Sequence, residues 1–447
     1  MRKFMFMCTL LALVPFGMNA QQLKGDLDKD GRITPNDITL LIDAYLQGPA
    51  GYQSQGKIEI PAVQDGKIRL TAQQQGYVNG ANTFAFDFYR EVAGQTEASK
   101  SMILSPLSVI YALGLVNNGA SAAVQKEIAS VLGFGAEGTQ DINAFCANLI
   151  ANAPLLDEQV TLGIANAFFL NSLKGYTLYD AFKADMNNYY RALVEELDFS
   201  QQASCDRINA WASEKTHGMI PSVMKQLNPS AISYILNALY FKGTWKYQFN
   251  EEYTQTERFK APNETVEVPM MSALIDTLSH VDLGAYSAVR LPYGNGAYSM
   301  TVVLPHPKES LADIEKMLTA EAFQQMQDSM TEKEVELHLP RFETEAEMPL
   351  VKTLRSLGIS SAFTGEAFPY VCPENSDISI ENVFQKAKIK VNEEGSEAAA
   401  VTVIELTEDA APDPSKSAVF YANRPFLYFI TERSTGTIFF MGRYMGS

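Results

Sequence analysis

Cysteine is scarce in this sequence. Four cysteines occur in 447 residues, and Cys8 lies in the apolar N-terminal stretch. The other three are widely spaced and odd in number: Cys146, Cys205 and Cys372. This pattern excludes a disulfide framework and a cysteine-based metal site. Each of the three is therefore predicted to be a buried core residue.

Histidine and the common catalytic motifs are also scarce. The four histidines are isolated from one another in the chain, as His217, His280, His306 and His338. The sequence contains no G-x-S-x-G elbow, no H-E-x-x-H motif and no phosphate-binding loop. A hidden triad built on Cys205 or Cys372 is the one enzymatic alternative. We therefore predict that the protein is not an enzyme.

Positive charge is the third deficit. Lys and Arg number 35 against 52 Asp and Glu, which gives a formal net charge of −17. No run of basic residues interrupts this balance. A polyanion such as DNA or RNA would be repelled, because nucleic-acid binding depends on cationic contacts to phosphate. Nucleic acid is excluded as a partner.

Long apolar runs are confined to the N-terminus. In "MRKFMFMCTLLALVPFGMNAQQ", Arg2 and Lys3 precede an apolar stretch that ends at Ala20. This pattern predicts a signal peptide over residues 1–20, cleaved before Gln21; a buried N-terminal strand is the alternative. No later apolar stretch is long enough to span a membrane. We expect a monomer that is secreted, or periplasmic or cell-surface in a bacterium.

The rest of the chain divides into three parts. Residues 21–48 form a small first unit, and residues 49–80 are predicted to be a linker that holds a short hairpin. Residues 81–447 are continuously globular. Helical periodicity dominates early in this domain and strand alternation dominates late, without a βαβ rhythm. The fold class is therefore predicted to be α+β.

The first unit carries a calcium-loop pattern. The stretch "DLDKDGRITPND" places oxygen ligands at alternate positions, with Gly31 at the sixth position, where the loop turns. The predicted ligands are Asp26, Asp28, Asp30, Arg32 (through its backbone carbonyl), Thr34 and Asp37. The stretch resembles a single dockerin repeat. It predicts Ca²⁺ as a cofactor and a cohesin-like protein as a possible partner; a solvated acidic turn is the alternative.

Near the C-terminus, "VNEEGSEAAAVTVIELTED" has an unusual strand pattern. If the segment is extended, Ser396, Ala398 and Ala400 share one face with apolar residues further along, and both charges fall on the other face. The loop-like sequence "EDAAPDPSKSA" follows, which is rich in proline and acidic residues and is an accessible target for proteases. The pattern predicts a strand that joins a sheet only after its loop is cut.

Several motifs in the same order resemble those of the serpin family. The reactive-loop stretch is "VNEEGSEAAAVTVIEL", and the C-terminal signature is "ANRPFLYFITE". Others are "SPLSVIYALGLVNNGA", "INAWASEKTHGMIPSV", "ILNALYFKGTWKYQF", "LPRF" and "FFMGRY". The resemblance covers residues 82–447. It implies three β-sheets, about nine helices and an exposed reactive loop near the C-terminus.

The resemblance also implies a function. Inhibitory serpins trap a serine or cysteine protease as a covalent acyl-enzyme when the cleaved loop inserts into the large sheet. The hinge of the loop would consist of Glu394, Gly395, Ser396, Glu397, Ala398, Ala399 and Ala400. Small residues on the inserting face favour the inhibitory type. A non-inhibitory binding or surface-attachment module is the alternative.

Family spacing implies roles for particular residues. The reactive-site bond would join Asp409 to Ala410, with Leu406, Thr407 and Glu408 as alternatives. The region where the sheet opens would include Ser105, Ser108, Asn237, Trp245 and Gln385. Many serpins have histidine where Gln385 stands. Because glutamine can donate and accept, we expect Gln385 to form a hydrogen bond with Asn237.

Overall fold

The computed structural model describes Thr34, Gly56 and residues 58–135, 138–374, 378–380, 383–396 and 416–446. The predicted signal peptide, all the proposed calcium ligands except Thr34, the hinge beyond Ser396 and every candidate for the reactive-site bond lie outside these residues.

Nine α-helices occur in the described residues. Six of these nine helices end before residue 216, in line with the early helical periodicity of the sequence, and three lie between residues 311 and 357. They are α1 (Ala72–Gln95), α2 (Pro106–Asn117), α3 (Ala122–Val131), α4 (Thr139–Asn152), α5 (Asp180–Tyr190), α6 (Gln202–Lys215), α7 (Leu311–Met317), α8 (Ala320–Asp328) and α9 (Val351–Leu357).

The first helix corrects the predicted linker. The sequence predicts a linker up to residue 80, whereas α1 begins at Ala72. Thr71 and Gln74 form a capping box, in which each side chain accepts from the other residue's backbone N–H. The predicted hairpin before it is reduced to one bridge between Gln64 and Lys67. The helix begins early because this cap satisfies its first donors.

Six of the strands form a sheet that has a narrow opening between β4 and β11. The sheet order is β10-β11-β12-β4-β2-β3. Its strands are β2 (Val160–Asn171), β3 (Leu193–Leu197), β4 (Ser233–Thr244), β10 (Phe342–Pro349), β11 (Phe384–Val391) and the two-residue β12 (Gly395–Ser396). In the described residues only β12 lies between β4 and β11. These two strands are therefore connected through the two residues of β12.

The other nine strands form a second array that bends. It comprises β1 (Met102–Leu104), β5 (Gln255–Lys260), β6 (Thr265–Asp282), β7 (Tyr286–Pro292), β8 (Tyr298–Pro305), β9 (Thr331–Pro340), β13 (Ser417–Tyr421), β14 (Phe426–Glu432) and β15 (Ile438–Tyr444). The long β6 pairs with β5, β9 and β7 in turn, with an irregularity between Ile275 and Leu278. An irregular register of this kind bends a strand.

The core lies between the two arrays. Helix α2 packs there against β4 and β15, and most of its residues are buried. Its N-cap Ser105 accepts from the Ser108 N–H, and Pro106 occupies the first turn, as predicted. Cys146, Cys205 and Cys372 are buried, which confirms the core assignment. In the part of the chain that is described, no helix is long and apolar enough to cross a membrane.

Candidate functional site

The hinge begins inside the six-stranded sheet. After β11 the chain turns through Glu393 and Glu394 and returns as β12. Ser396 lies opposite Val391 of β11 on one side and Gly243 of β4 on the other. The pairing is antiparallel to both neighbours, so the first two residues of the predicted reactive loop already occupy a central strand position.

Gly395 is required at this position by close backbone contact. A Cβ at Gly395 would lie 2.0 Å from the Gly243 carbonyl oxygen and 2.9 Å from the Thr244 Cα, and the residue has φ +154°. No side chain fits against backbone atoms at such distances. The glycine therefore allows the turn to bring β12 directly against the end of β4.

Ser396 is held on the inner face of the sheet. It is 1% exposed, and its Oγ lies 2.7 Å from the Tyr293 hydroxyl oxygen. The Tyr293 ring stacks on Trp245 with centroids 4.3 Å apart. Burial raises the pKa of Tyr293 far above its usual value, so the phenol stays neutral and the hydrogen bond persists over the whole physiological pH range.

The turn before β12 is anchored to the end of β4. The Trp245 backbone N–H donates to the Glu394 carbonyl at 2.8 Å, and the Trp245 indole Nε1–H donates to the Asn392 carbonyl at 2.9 Å. The Phe249 N–H donates to the Glu393 carbonyl at 2.9 Å. Trp245 therefore lies at the top of the sheet, and it ties the start of the hinge to β4.

An ion pair between the buried Glu393 and the partly exposed Arg341 fixes the same turn from the other side. The Glu393 side chain is 2% exposed, and Arg341 donates to it from Nε at 3.0 Å and from an η nitrogen at 2.5 Å. The Thr254 hydroxyl donates to the same carboxylate at 2.6 Å. Burial acts to raise the pKa of Glu393, but the hydrogen bonds from Arg341 and Thr254 outweigh it, and the pKa lies below 4.5.

Charge reversal at Glu393 is expected to destabilise the native protein. Glu393→Lys would place a buried cation against Arg341, and breaking a buried pair costs about 3–5 kcal/mol. For a domain of this size that corresponds to a fall in Tm of roughly 4–7 °C. Differential scanning calorimetry measures the change. The swapped pair Arg341→Glu with Glu393→Lys is the control and should recover part of the loss.

The same ion pair makes the stability of the folded protein depend on pH, and the direction follows from the lowered pKa of Glu393. The pKa of Glu393 in the folded protein lies below its ordinary value of 4.5. The ion pair therefore contributes its full stabilisation above pH 4.5. It is lost as the pH falls through the folded pKa. The difference in Tm between the wild type and Glu393→Gln should therefore shrink below about pH 4.5. A difference that stays constant down to pH 3 would contradict this assignment.

Below Ser396 the two strands part around a cavity. It has a volume of about 240 Å³ and reaches from β4 and β11 to α2 and α6. Ser108, Asn237 and Gln385 contribute to its wall. Ile235 and Trp211 line it as well. The cavity therefore lies along the continuation of β12, where the next residues of that strand would be placed.

Gln385 does not bond with Asn237, so that expectation is wrong. The Gln385 Oε1 accepts from the Ser105 N–H at 3.0 Å, and its Nε2 donates to the Ser105 carbonyl at 2.7 Å. Ser105 in turn donates from Oγ to the Phe439 carbonyl at 2.9 Å. The side-chain amide is satisfied by the backbone N–H and C=O of one residue, Ser105, and this ties β11 to the start of α2.

Asn237 keeps an unused acceptor. Its Nδ2 donates to the Asn166 Oδ1 at 2.8 Å and to the Ala165 carbonyl at 3.3 Å. Its Oδ1 is buried and has no hydrogen-bond partner in the described structure. A buried unsatisfied acceptor costs about 1–3 kcal/mol. The opening in the sheet is therefore a place where native contacts are incomplete.

Sequence reasoning missed three residues of this site. Tyr293, Arg341 and Glu393 hold the hinge, and they come from distant parts of the chain. Glu393 stands beside Gly395 in "NEEG", but no local spacing indicates a basic partner 52 residues earlier. The motif "LPRF" marks Arg341 only as a residue between two strands.

Among the described residues, no group of three or more His, Cys, Asp and Glu side chains is placed to hold a metal ion. The calcium-loop carboxylates lie outside that part of the chain. The histidines also stay apart: His306 contacts Asp282 and His338 contacts Glu336.

A family model described as Serpin (serine protease inhibitor) matches residues 79–446. The chain belongs to the serpin family. The match covers the whole of the two strand arrays and begins within α1. The serpin fold, with its nine helices and its mixed sheets, is thereby shown, and the resemblance found in the motifs is confirmed.

Similar proteins occur among curated relatives and among solved structures. A serpin-like protein of Thermococcus kodakarensis is 32% identical over 375 residues, covering 83% of this chain and 86% of that protein. Human neuroserpin is 32% identical over 365 residues, covering 78% and 87%. Human thyroxine-binding globulin, solved with its ligand, has a TM-score of 0.75 and 27% identity, covering 83% and 98%.

Proposed function

We propose that this serpin is a secreted suicide-substrate inhibitor of serine or cysteine proteases. The observation that carries the proposal is β12. Gly395 and Ser396 already pair with β4 and β11, and small residues follow them in the chain. Cleavage of the loop would free the segment to extend this strand down the opening.

Continuation of the β12 register supports insertion. From Ser396 opposite Gly243, each step along the loop moves one residue back along β4. Ala398 would meet Phe241, and Ala400 would meet Leu239. Both β4 residues are buried on the inner face. Alanine fits there because a larger side chain would have to displace a packed core.

Further down, the same register brings polar groups together. Thr402 would lie between Asn237 of β4 and Gln385 of β11, in the wall of the cavity. Its hydroxyl can donate to the unpartnered Asn237 Oδ1. Insertion would then remove an unsatisfied acceptor as well as extending the sheet.

The length of the loop strand matches that of its partner. β4 has 12 residues, and the register aligns residues 395–406 with Thr244 down to Ser233. On the outer face, Glu397 would lie between Lys242 and Lys390. Opposite charges across neighbouring strands stabilise a sheet. The strand pattern therefore ends at Leu406, where the partner strand ends.

Trapping begins with the first step of the protease's own catalytic reaction, the formation of an acyl-enzyme. Its nucleophilic oxygen or sulfur attacks the carbonyl carbon of the scissile residue and forms a covalent bond. The peptide C–N bond breaks, and the new amine leaves with a proton supplied by the protease. Insertion then carries the acyl-enzyme along the sheet before water can attack the ester or thioester.

The reactive-site bond is proposed to be Asp409–Ala410. A target with a basic specificity pocket fits an acidic residue at that point. Leu406, Thr407 and Glu408 are the alternatives; Leu406 would indicate a protease that prefers apolar residues. Screening a protease panel for SDS-stable complexes tests the function. The mass of the released C-terminal fragment identifies the bond, and a panel without any stable complex would contradict inhibition.

The alternative is a non-inhibitory binding or surface-attachment module. Thyroxine-binding globulin, which shares this fold, is a ligand-binding protein by name. The short side chains of the hinge favour inhibition, since a binding module has no need for rapid insertion. Protease titration separates the two: a pure binding module is cleaved or ignored without forming a covalent complex.

The N-terminal regions extend the proposal. Residues 1–20 would direct secretion, which N-terminal sequencing of the exported protein tests. The ligands from Asp26 to Asp37 would bind Ca²⁺ in the full chain, with a cohesin-like protein as a candidate partner. Calorimetric titration should show one calcium site that is lost in Asp28→Ala, because the third loop position supplies a carboxylate. Identical titrations would contradict the site.

A further inference from the structure

We propose that Lys242 of β4 and Lys390 of β11 form a carboxylate-binding notch on the outer face of the six-stranded sheet, and that its occupant is the chain's own Glu397. The two lysines would guide the cleaved loop into the sheet and so raise the fraction of encounters that end in a trapped protease. The proposal rests on the inhibitory function, and it assigns a positioning role in insertion to both lysines.

The two lysines flank the strand position that follows β12. Ser396 lies opposite Gly243 of β4 and opposite Val391 of β11. One step further along the strand, the neighbours are Lys242 on one side and Lys390 on the other. Since adjacent strands lie about 4.8 Å apart, the Cα atoms of the two lysines stand roughly 10 Å from each other across this position.

Both lysines point to the outer face of the sheet. Lys390 lies between Ile389 and Val391, which are buried on the inner face, and it is exposed. Lys242 follows the buried Phe241 and is half-buried. Because side chains alternate between the faces along a strand, the two ammonium groups approach the same outer position from opposite sides.

The other lysines on the outer face of β11 are neutralised by β10. Lys388 pairs with Glu343 at 2.7 Å and with Glu345 at 3.5 Å. Lys386 pairs with Glu345 at 3.1 Å and with Glu347 at 3.8 Å. The three glutamates of β10 are therefore shared between two lysines.

Lys390 and Lys242 lack a partner of this kind. Lys390 lies opposite Glu343, but Lys388 pairs with that carboxylate. On the other side of the opening, Lys242 lies opposite the neutral Thr161 of β2. Among the described residues neither lysine forms an ion pair. Two uncompensated cations therefore face one strand position in a protein whose net charge is −17.

The charges of the loop complement this arrangement. In the β12 register, Glu397 would lie between the two unpaired lysines, whereas Ala399 would lie beside Lys388 and Val401 beside Lys386. The loop is thus neutral where the lysines of β11 already have partners and acidic where they have none. Opposite charges on neighbouring strands stabilise a sheet, so Glu397 would complete the row of ion pairs.

The position of Glu397 makes the notch important for the rate of insertion. Glu397 directly follows Ser396, so it would be the first loop residue to join the sheet. An interaction that forms early in a process lowers the barrier to the steps that follow it. Insertion competes with hydrolysis of the acyl-enzyme, and the pairing would therefore favour trapping over release.

The test measures the stoichiometry of inhibition with a protease that forms the SDS-stable complex. Lys242→Glu with Lys390→Glu would place three carboxylates side by side, and Glu397→Lys would place three ammonium groups there. We expect each variant to need about threefold more inhibitor per trapped protease at 20 mM salt and less than about twofold more at 500 mM. The control, Lys126→Glu with Lys308→Glu, changes the net charge as the double variant does and should match the wild type.

Charge exchange separates electrostatic pairing from damage to the strands. The triple variant Lys242→Glu, Lys390→Glu, Glu397→Lys restores opposite charges and should recover most of the lost efficiency. A triple variant as poor as the double variant would overturn the notch. Equal stoichiometry in the double variant and its control would also overturn it and leave inhibition intact.

A second readout does not depend on inhibition. After cleavage by a protease that is not trapped, the wild type should have a higher Tm than Glu397→Gln at 20 mM salt. The difference should vanish when Lys242→Gln and Lys390→Gln are also present. Equal Tm values for cleaved wild type and Glu397→Gln would overturn the notch. Absence of any covalent complex, with this Tm difference present, would overturn inhibition alone.

Discussion

Replacing Ser396 with arginine is expected to convert the inhibitor into a substrate. Ser396 is 1% exposed on the inner face of β12, with its hydroxyl 2.7 Å from that of Tyr293. An arginine there would bring an unpaired charge into the core, at a cost of several kcal/mol. Because Ser396 already lies in the native sheet, the charge would displace β12 from between β4 and β11. Insertion would lose its starting strand and slow, and the acyl-enzyme would be hydrolysed first. The target should cleave the variant repeatedly, without an SDS-stable band.

Two controls separate slow insertion from general damage. Ser396→Thr keeps a small side chain and the hydroxyl, so it should still form the covalent complex. Ala400→Glu lies outside β12 and leaves the pairings of Gly395 and Ser396 in place, yet it puts a charge on the same inserting face. It should also behave as a substrate. A normal yield of complex from Ser396→Arg would contradict the role of β12.

Cleavage of the loop is expected to raise the Tm by tens of degrees. The native sheet joins β4 to β11 through two residues only, above a cavity of about 240 Å³. Insertion would add two rows of hydrogen bonds, fill the cavity and provide a donor for the Asn237 Oδ1. Each bond contributes about 1 kcal/mol net, and several apolar side chains become buried at the same time.

The measurement requires a protease that cuts the loop but is not trapped, used at a catalytic ratio. Calorimetry then compares intact and cut protein, with the cut position verified by mass spectrometry. Cut Ala400→Glu is the matched control and should gain far less stability. An unchanged Tm in the cut wild type would mean that the native state stores no energy for trapping a protease.

Local features of the fold could be predicted from the sequence. The cap formed by Ser105 and Pro106 and the burial of Ser396 follow from cap chemistry and from the strand period of two. These signals are contained within a few residues. The start of α1 was missed because Thr71 and Gln74 form a capping box inside a stretch rich in glutamine and glycine.

The contacts that hold the hinge could not be predicted. Arg341 meets Glu393 across 52 residues, and Gln385 meets Ser105 across 280. Such pairs depend on which strands become neighbours, and hydrophobic patterns do not encode this. Gln385 is an example: the sequence shows that its side chain can donate and accept, but its partners are the backbone N–H and C=O of Ser105 rather than Asn237.

Hydrogen exchange of residues 397–406 tests the central claim most directly. The peptide is followed by mass spectrometry in the intact protein and after cleavage of the loop. Insertion between β4 and β11 predicts that its amides become as slowly exchanging as those of β4, and that Ala400→Glu prevents this protection. Fast exchange in the cleaved wild type would contradict the account, because the segment would then have remained outside the sheet.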